Sequence, residues 1–109
     1  MSVNDLKNIL DQYNWDDGFK IPRKLLSNPD CDLALALEIF YLADGFAYLD
    51  GLAEETWRAE WKQFVCSLYN DILDGKYIKG ARRYEIPLTK VQKYKFRKKQ
   101  IPEVFLTDL

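Results

Sequence analysis

Residues 31–43 read Cys-Asp-Leu-Ala-Leu-Ala-Leu-Glu-Ile-Phe-Tyr-Leu-Ala, and eleven of these thirteen residues are apolar. Their large side chains form two stripes at helical spacing, with Leu33, Leu37, Phe40 and Tyr41 on one side and Leu35, Ile39 and Leu42 on another. A helix that is apolar on two sides needs cover from several neighbours. We therefore predict a mainly α fold, a compact single-domain bundle of about four to five helices around a buried central helix over 31–43.

The residues before this stretch predict two further helices. The first runs from Ser2 to Tyr13, because apolar residues recur on one face and Ser2 with Asp5 resembles a capping box. The second is short, from Pro22 to about Ser27, since proline is favoured in a first helical turn. At the far end of the central helix, Gly45 is predicted to be the left-handed residue that ends it.

The residues after the central helix predict a long helix, followed by a C-terminal part whose pattern fits both a strand and a helix. Ala53–Asp74 has the most regular amphipathic spacing in the chain, and Gly75 is its predicted stop. Beyond Gly75, apolar residues that alternate along the chain favour a strand, whereas apolar residues that recur every third position favour a helix. We expect a short extended segment near 84–88, then a helix over Lys90–Lys99, with apolar residues 104–106 anchoring the C-terminus.

Length and composition are typical of one globular unit. The chain has 109 residues, of which 48% are hydrophobic and 30% charged. We expect a single domain over 1–109, with an acidic helical body over 1–80 and a basic C-terminal segment over 81–109 packed on it. Aromatic residues make up 15% of the chain, more than a small core easily absorbs, so some are expected at a binding surface.

Several classes of function lose support from residues that the sequence lacks. Histidine is absent, which removes Ser-His and Cys-His nucleophilic chemistry and histidine-assisted zinc sites. The five glycines are scattered singly, so no phosphate-binding loop can be drawn. Cys31 and Cys66 fit buried packing positions. We expect a non-enzymatic cytoplasmic protein with no cofactor, no metal and no membrane span, because no export signal is recognised.

Charge is distributed unevenly along the chain. Residues 1–78 carry seven basic and fourteen acidic side chains, whereas residues 79–99 carry nine basic side chains and one acidic. The basic residues are interleaved with Tyr84, Tyr94 and Phe96, a pattern typical of nucleic-acid binding through stacking and phosphate contacts. The alternative is a solvated face that lies against the acidic body. The candidate nucleic-acid contacts are Arg82, Arg83, Lys93, Lys95, Arg97 and Lys98.

The acidic body supports two further hypotheses. If its aspartates come together, Asp16 and Asp17 with Asp30, Asp32, Asp44 or Asp50 have the oxygen ligands that a hard cation prefers. Each of these aspartates, however, lies beside Gly, Pro or a helix end, where Asp commonly serves as a cap or turn former. The other hypothesis is a protein-binding surface, with candidate residues Trp15, Asp16, Asp17, Asp44, Tyr48 and Asp50.

An ordered series of short motifs resembles a known family. It comprises Asn-Trp-Asp-Asp-Gly-Phe at 14–19, Ile-Pro at 21–22, Cys-Asp-Leu-Ala-Leu-Ala-Leu at 31–37, Phe40, and Ala-Asp-Gly at 43–45. Over about residues 1–80 the chain resembles a family of small bacterial domains of unknown function whose hallmark is the Asn-Trp-Asp-Asp-Gly motif. The resemblance implies a bacterial, compact, mainly helical domain. It implies no activity, and it does not extend to the basic C-terminal segment.

These observations favour a non-catalytic protein-binding module. The specific hypothesis is a small intracellular inhibitor or immunity-type protein that masks a toxin or effector, because an acidic body suits a basic partner such as a nuclease. One alternative is a nucleic-acid-associated protein that acts through residues 79–99. A second alternative is a carboxylate-based, metal-dependent enzyme that uses Asp16 and Asp17.

Overall fold

The computed structural model describes residues 2–51 and 59–109, which contain six α-helices and no strand. The helices are α1 (Val3–Asp11), α2 (Lys20–Ser27), α3 (Leu33–Leu42), α4 (Gly45–Leu49), α5 (Ala59–Leu73) and α6 (Lys90–Lys98). Two short 3-10 turns lie at Trp15–Asp17 and Glu103–Phe105. The mainly α prediction is confirmed. The described residues hold more helices than predicted because a connection of five residues folds as α4.

Helix α3 is the centre of the core, as predicted. Leu35, Leu37, Ile39 and Phe40 have no solvent exposure, whereas Leu42 at the end of the helix is 50% exposed. The helix begins after Asp32, whose carboxylate accepts a hydrogen bond from the backbone N–H of Leu35 at 2.8 Å. A carboxylate at this position stabilises the helix because it satisfies an otherwise unpaired amide and faces the positive end of the helix dipole.

The first two helices are confirmed with small shifts at their ends. Ser2 caps α1, and the side chains and backbones of Ser2 and Asp5 bond reciprocally in the predicted capping box. Helix α1 ends at Asp11, two residues before the predicted end at Tyr13. Helix α2 begins at Lys20, so Pro22 lies within its first turn instead of starting it.

The predicted role of Gly45 is wrong. Asp44 is the left-handed residue, with φ of 65°, and Gly45 begins α4. A short polar side chain makes this conformation tolerable for aspartate. Gly45 is required for a different reason, because a Cβ atom there would lie 2.3 Å from Cε2 of Phe40 and 2.6 Å from its carbonyl oxygen. Glycine therefore allows α4 to turn closely against the end of α3.

Helix α5 is described from Ala59, so the predicted part over 53–58 lies outside the described residues. Its predicted stop is confirmed. Gly75 has φ of 77°, and its N–H donates a hydrogen bond to the carbonyl of Ile72. The N–H of Lys76 donates to the carbonyl of Asp71. This pair of bonds satisfies carbonyls that the last helical turn leaves without partners.

The residues after α5 complete the core around α3. Their buried side chains are Tyr77, Ile86, Phe96, Phe105 and Leu106. The Tyr41 hydroxyl donates to the carbonyl of Phe105 at 2.5 Å, and the ring of Phe105 stacks on Tyr69 with centroids 4.7 Å apart. The C-terminal apolar anchor is thus confirmed.

Residues 79–89 cross the surface without regular secondary structure. Within the segment expected to be extended, Tyr84 exchanges two backbone hydrogen bonds with Leu109, at 3.3 and 2.9 Å. The predicted helix over Lys90–Lys99 is confirmed as α6, and Thr89 with Gln92 forms a capping box at its start. None of the helices in the described part of the chain is both long and apolar enough to cross a bilayer.

Candidate functional site

The turn at residues 14–18 is built by local hydrogen bonds. The side chain of Asn14 accepts from the backbone N–H of Asp16 at 3.0 Å, which fixes the start of the 3-10 turn. Gly18 has φ of 88°, and its carbonyl accepts from the Tyr13 hydroxyl at 2.5 Å. Asn14 and Gly18 are therefore the structural part of the motif, and they hold the three residues between them in one conformation.

The middle of this turn carries an aromatic ring beside two carboxylates. Trp15 is half-buried, and its ring meets Tyr13 edge to face with centroids 5.4 Å apart. Asp16 and Asp17 are exposed, and in residues 2–51 and 59–109 neither forms an ion pair. Desolvation and the nearby charge of Asp17 raise the pKa of the Tyr13 hydroxyl. We call residues 15–17 the acidic turn.

The other predicted protein-binding residues lie around α4 and serve different purposes. Tyr48 is half-buried in an aromatic cluster, 5.2 Å from the ring of Tyr69, and burial raises its pKa to about 12. Asp50 pairs with Lys99 at 3.3 Å. Asp44 is exposed. No hydrogen bond, ion pair or ring contact among the described residues joins this group to the acidic turn.

Three of the six predicted nucleic-acid contacts pair with carboxylates of the protein itself. Arg82 lies 3.5 Å from Glu38 and 3.9 Å from Asp32, and its Nη1 atom is buried without a hydrogen-bond partner. The other two pairs are Lys93 with Asp108 at 3.3 Å and Arg97 with Glu103 at 2.8 Å. These cations neutralise the acidic residues around them.

The remaining three predicted contacts, Arg83, Lys95 and Lys98, are exposed. Lys98 places its ammonium 4.9 Å from the centroid of the Tyr94 ring, and Tyr94 is 59% exposed. Of the aromatic residues expected to stack on bases, Phe96 is 3% exposed and Tyr84 is half-buried. Within the described ranges, only the outer face of α6 therefore offers an exposed tyrosine beside lysines.

The carboxylates and thiols of the described residues do not form a metal-binding cluster. No group of three or more Cys, Asp or Glu side chains in those residues is placed to hold a metal ion. The carboxylate of Asp32 caps α3, and the carboxylate of Asp50 forms an ion pair with Lys99. Burial raises the pKa of the Cys31 thiol to about 12, so at neutral pH it is protonated and unreactive.

A cleft that the sequence did not predict lies between α2 and α5. Its volume is about 260 Å³, and the turn after α5 forms one wall. The lining residues are Arg23, Leu26, Ser27, Phe64, Ser67, Leu68, Asp71, Lys76 and Tyr77. Arg23 and Lys76 are 53 positions apart, and no sequence motif joins them, so only the packing of α2 on α5 brings them to one opening. We call it the α2–α5 cleft.

The match with a known family covers both the acidic turn and the central helix. It extends over residues 2–73, from the cap of α1 to the last residue of α5. No curated protein and no solved structure shows significant similarity to this chain. The chain belongs to the family described as Domain of unknown function (DUF4274).

Proposed function

We propose that this protein is a non-catalytic protein-binding module, and specifically a small inhibitor or immunity-type protein that masks a basic surface of a toxin or effector. The observation that carries the proposal is the acidic turn, where Asp16 and Asp17 are exposed beside half-buried Trp15 and form no ion pair with any other described residue. Tryptophan is among the residues that contribute most to binding at interfaces.

The distribution of ion pairs supports a basic partner. Among the described residues, four cations of the basic segment pair with carboxylates outside the acidic turn, two in the acidic body and two within the segment itself, so they leave the acidic turn unneutralised. An exposed acidic surface steers a basic partner during encounter and disfavours acidic ones. The hydrogen bonds at Asn14 and Gly18 hold the turn before any partner arrives, which lowers the entropy cost of binding.

The proposal also includes the cellular location of the protein and the class of its partner. We place the inhibitor in the cytoplasm of a bacterium, where it would meet a toxin or effector domain. That the Asn-Trp-Asp-Asp-Gly motif is the hallmark of the family also stays a prediction. The family match includes the motif at residues 14–18.

The test is a comparison of two double charge reversals in the full-length protein. Asp16→Lys with Asp17→Lys changes the acidic turn, and Glu60→Lys with Asp74→Lys makes the same charge change at exposed positions of α5 and its end. Each variant is tagged and used for affinity purification from host lysate, followed by quantitative mass spectrometry. A stoichiometric partner that the control retains and the turn variant loses is the expected result.

The same partner must then be tested for inhibition. Adding the native protein should suppress the partner's toxic or enzymatic activity in a purified assay, and adding the turn variant should not. A partner that both variants retain equally would contradict the acidic turn as the binding surface. A partner that binds through the turn but keeps its full activity would contradict the inhibitor part of the proposal alone.

A nucleic-acid-associated function is the second candidate, carried by the outer face of α6. Tyr94 is accessible for stacking on a base, and exposed Lys95 and Lys98 lie on the same helix. This function predicts binding of single-stranded RNA or DNA at low salt that falls steeply as salt increases. Tyr94→Ala should weaken it more than Tyr84→Ala, and no binding at low salt would reject it.

A further inference from the structure

The α2–α5 cleft combines an apolar floor with a charged rim. Leu26, Phe64 and Leu68 form the floor, and each of them is less than one-tenth exposed. Arg23 comes from α2, Asp71 from the last turn of α5, and Lys76 from the turn that follows. Three separate segments therefore meet at one opening, and each contributes one charged side chain.

The charges around the cleft do not balance. Arg23 forms no ion pair with any described carboxylate, and its guanidinium carbon lies 5.3 Å from the centroid of the Phe64 ring. Lys76 is 3.5 Å from Asp71 in a pair whose side chains are 53% and 41% exposed. Two cations thus face one carboxylate, and this lining leaves one positive charge without a partner.

A largely buried tyrosine lines the same cleft. Tyr77 is 7% exposed as a residue, and its hydroxyl forms no hydrogen bond with another described residue but is still reached by solvent. Burial, followed by the nearby Cys31 and Asp71, raises its pKa, so the group stays protonated and can donate a hydrogen bond. A hydroxyl whose partner is water can exchange that water for an acceptor atom of a ligand. Ser27 differs, because its hydroxyl already donates to the carbonyl of Arg23 at 2.9 Å.

We propose that the α2–α5 cleft binds a small organic anion, a carboxylate or a phosphate monoester with an apolar body. The anionic group lies at Arg23 and Lys76 and accepts the Tyr77 hydrogen bond, while the apolar body lies over Leu26 and Leu68 on the floor. A volume of about 260 Å³ is below the ~300–1,000 Å³ of pockets for drug-sized molecules, so the ligand is smaller than these. The site goes beyond the proposed protein-binding function, since it shares no residue with the acidic turn.

The experiment is an NMR titration of the isotope-labelled full-length protein with three probes. Benzoate and phenyl phosphate carry the two anionic groups on the same apolar ring, and benzamide is the neutral control. The expected result is saturable shifts of the backbone amides of residues 67–77 with one or both anions, and none with benzamide. A response to benzoate alone assigns a carboxylate ligand, and a response to phenyl phosphate alone assigns a phosphate ester.

Matched variants connect the binding to the named cations. Arg23→Gln and Lys76→Gln should each weaken the affinity about tenfold, since a hydrogen bond to a charged group contributes on this scale. Lys24→Gln is the control, because Lys24 is an exposed neighbour of Arg23 that does not line the cleft. Shifts that never saturate with either anion, an equal response to benzamide, or an equal loss in the control would each overturn the proposal.

Discussion

The Nη2 atom of Arg82 lies 3.5 Å from Oε1 of Glu38, and this ion pair ties the irregular segment 79–89 to the middle of α3. Glu38 also pairs with Lys7 of α1, so one carboxylate connects three parts of the chain. The side chains of Arg82 and Glu38 are only 20% and 13% exposed. Such a pair is largely shielded from solvent, unlike the ordinary ion pairs of a protein surface.

Arg82→Ala is therefore expected to lower the free energy of unfolding by about 1–3 kcal/mol. The loss stays below the usual cost of breaking a fully buried pair because Lys7 still compensates Glu38. Urea denaturation measures the change. Arg83→Ala is the control, since Arg83 is exposed, and should stay within about 0.5 kcal/mol of the native protein. Equal effects of the two substitutions would show that the pair with Glu38 contributes nothing.

Gly45→Ala should destabilise the protein by about 2 kcal/mol or more, because its Cβ would collide with the ring and carbonyl of Phe40. Gly51→Ala is a useful comparison. Gly51 has φ of 87° with open space around it, so alanine there meets only the backbone cost of about 1–2 kcal/mol. Thermal and urea unfolding should rank Gly45→Ala as the more harmful change, and the reverse order would refute the close approach to Phe40.

Trp15→Ala is expected to reduce stability by about 1–3 kcal/mol, less than the loss of a fully buried tryptophan, because the side chain is half-exposed. Under the proposed function it should also reduce affinity for the partner by more than Tyr13→Ala does. Urea denaturation and a binding measurement on the same samples separate the two effects. A stability loss without any loss of affinity would make Trp15 purely structural.

The free energy of unfolding should fall at alkaline pH, because burial raises the pKa values of one thiol and several phenols. Burial raises the pKa of Cys31 to about 12 from 9.0, and those of Tyr48 and Tyr84 to about 12 from 10.0. The unfolded chain then releases protons at a lower pH than the folded chain, so the unfolding free energy decreases between about pH 9 and pH 12. Below about pH 8 these groups contribute almost no slope.

Urea denaturation at pH values from about 8 to about 11 measures this slope. Cys31→Ala should be less stable near neutral pH, because it leaves a small cavity, but its stability should decline less steeply as the pH rises above about 9. An unchanged slope in this variant would indicate that Cys31 ionises at the same pH in the folded and unfolded protein.

Much of the helical framework is predictable from local signals. The capping box of Ser2 and Asp5, the apolar run of α3 and the stop at Gly75 each act within a few residues, so the sequence carries them directly. The role of Gly45 could not be predicted in this way. It depends on the position of the Phe40 ring across a turn, which no spacing rule encodes.

The candidate sites show the same limit. Proximity of charges along the chain identified the acidic turn at 15–17, because its residues are consecutive. The sequence could not show that Arg82 pairs with Glu38, or that Arg23 and Lys76 share a cleft, since these residues are more than forty positions apart. Tertiary packing decides which charges of the basic segment remain available to a partner.

Phe105 and Leu106 lie outside the region that matches the family, but their side chains are part of the folded core. The family match ends at residue 73, yet these two side chains are 0% and 1% exposed in the core around α3. A protein cut after residue 73 would expose the aromatic rings that Phe105 covers and would be expected to aggregate. The boundary of the family match is therefore not a boundary of the folding unit, and a shortened version of this chain should be designed from the burial of its side chains.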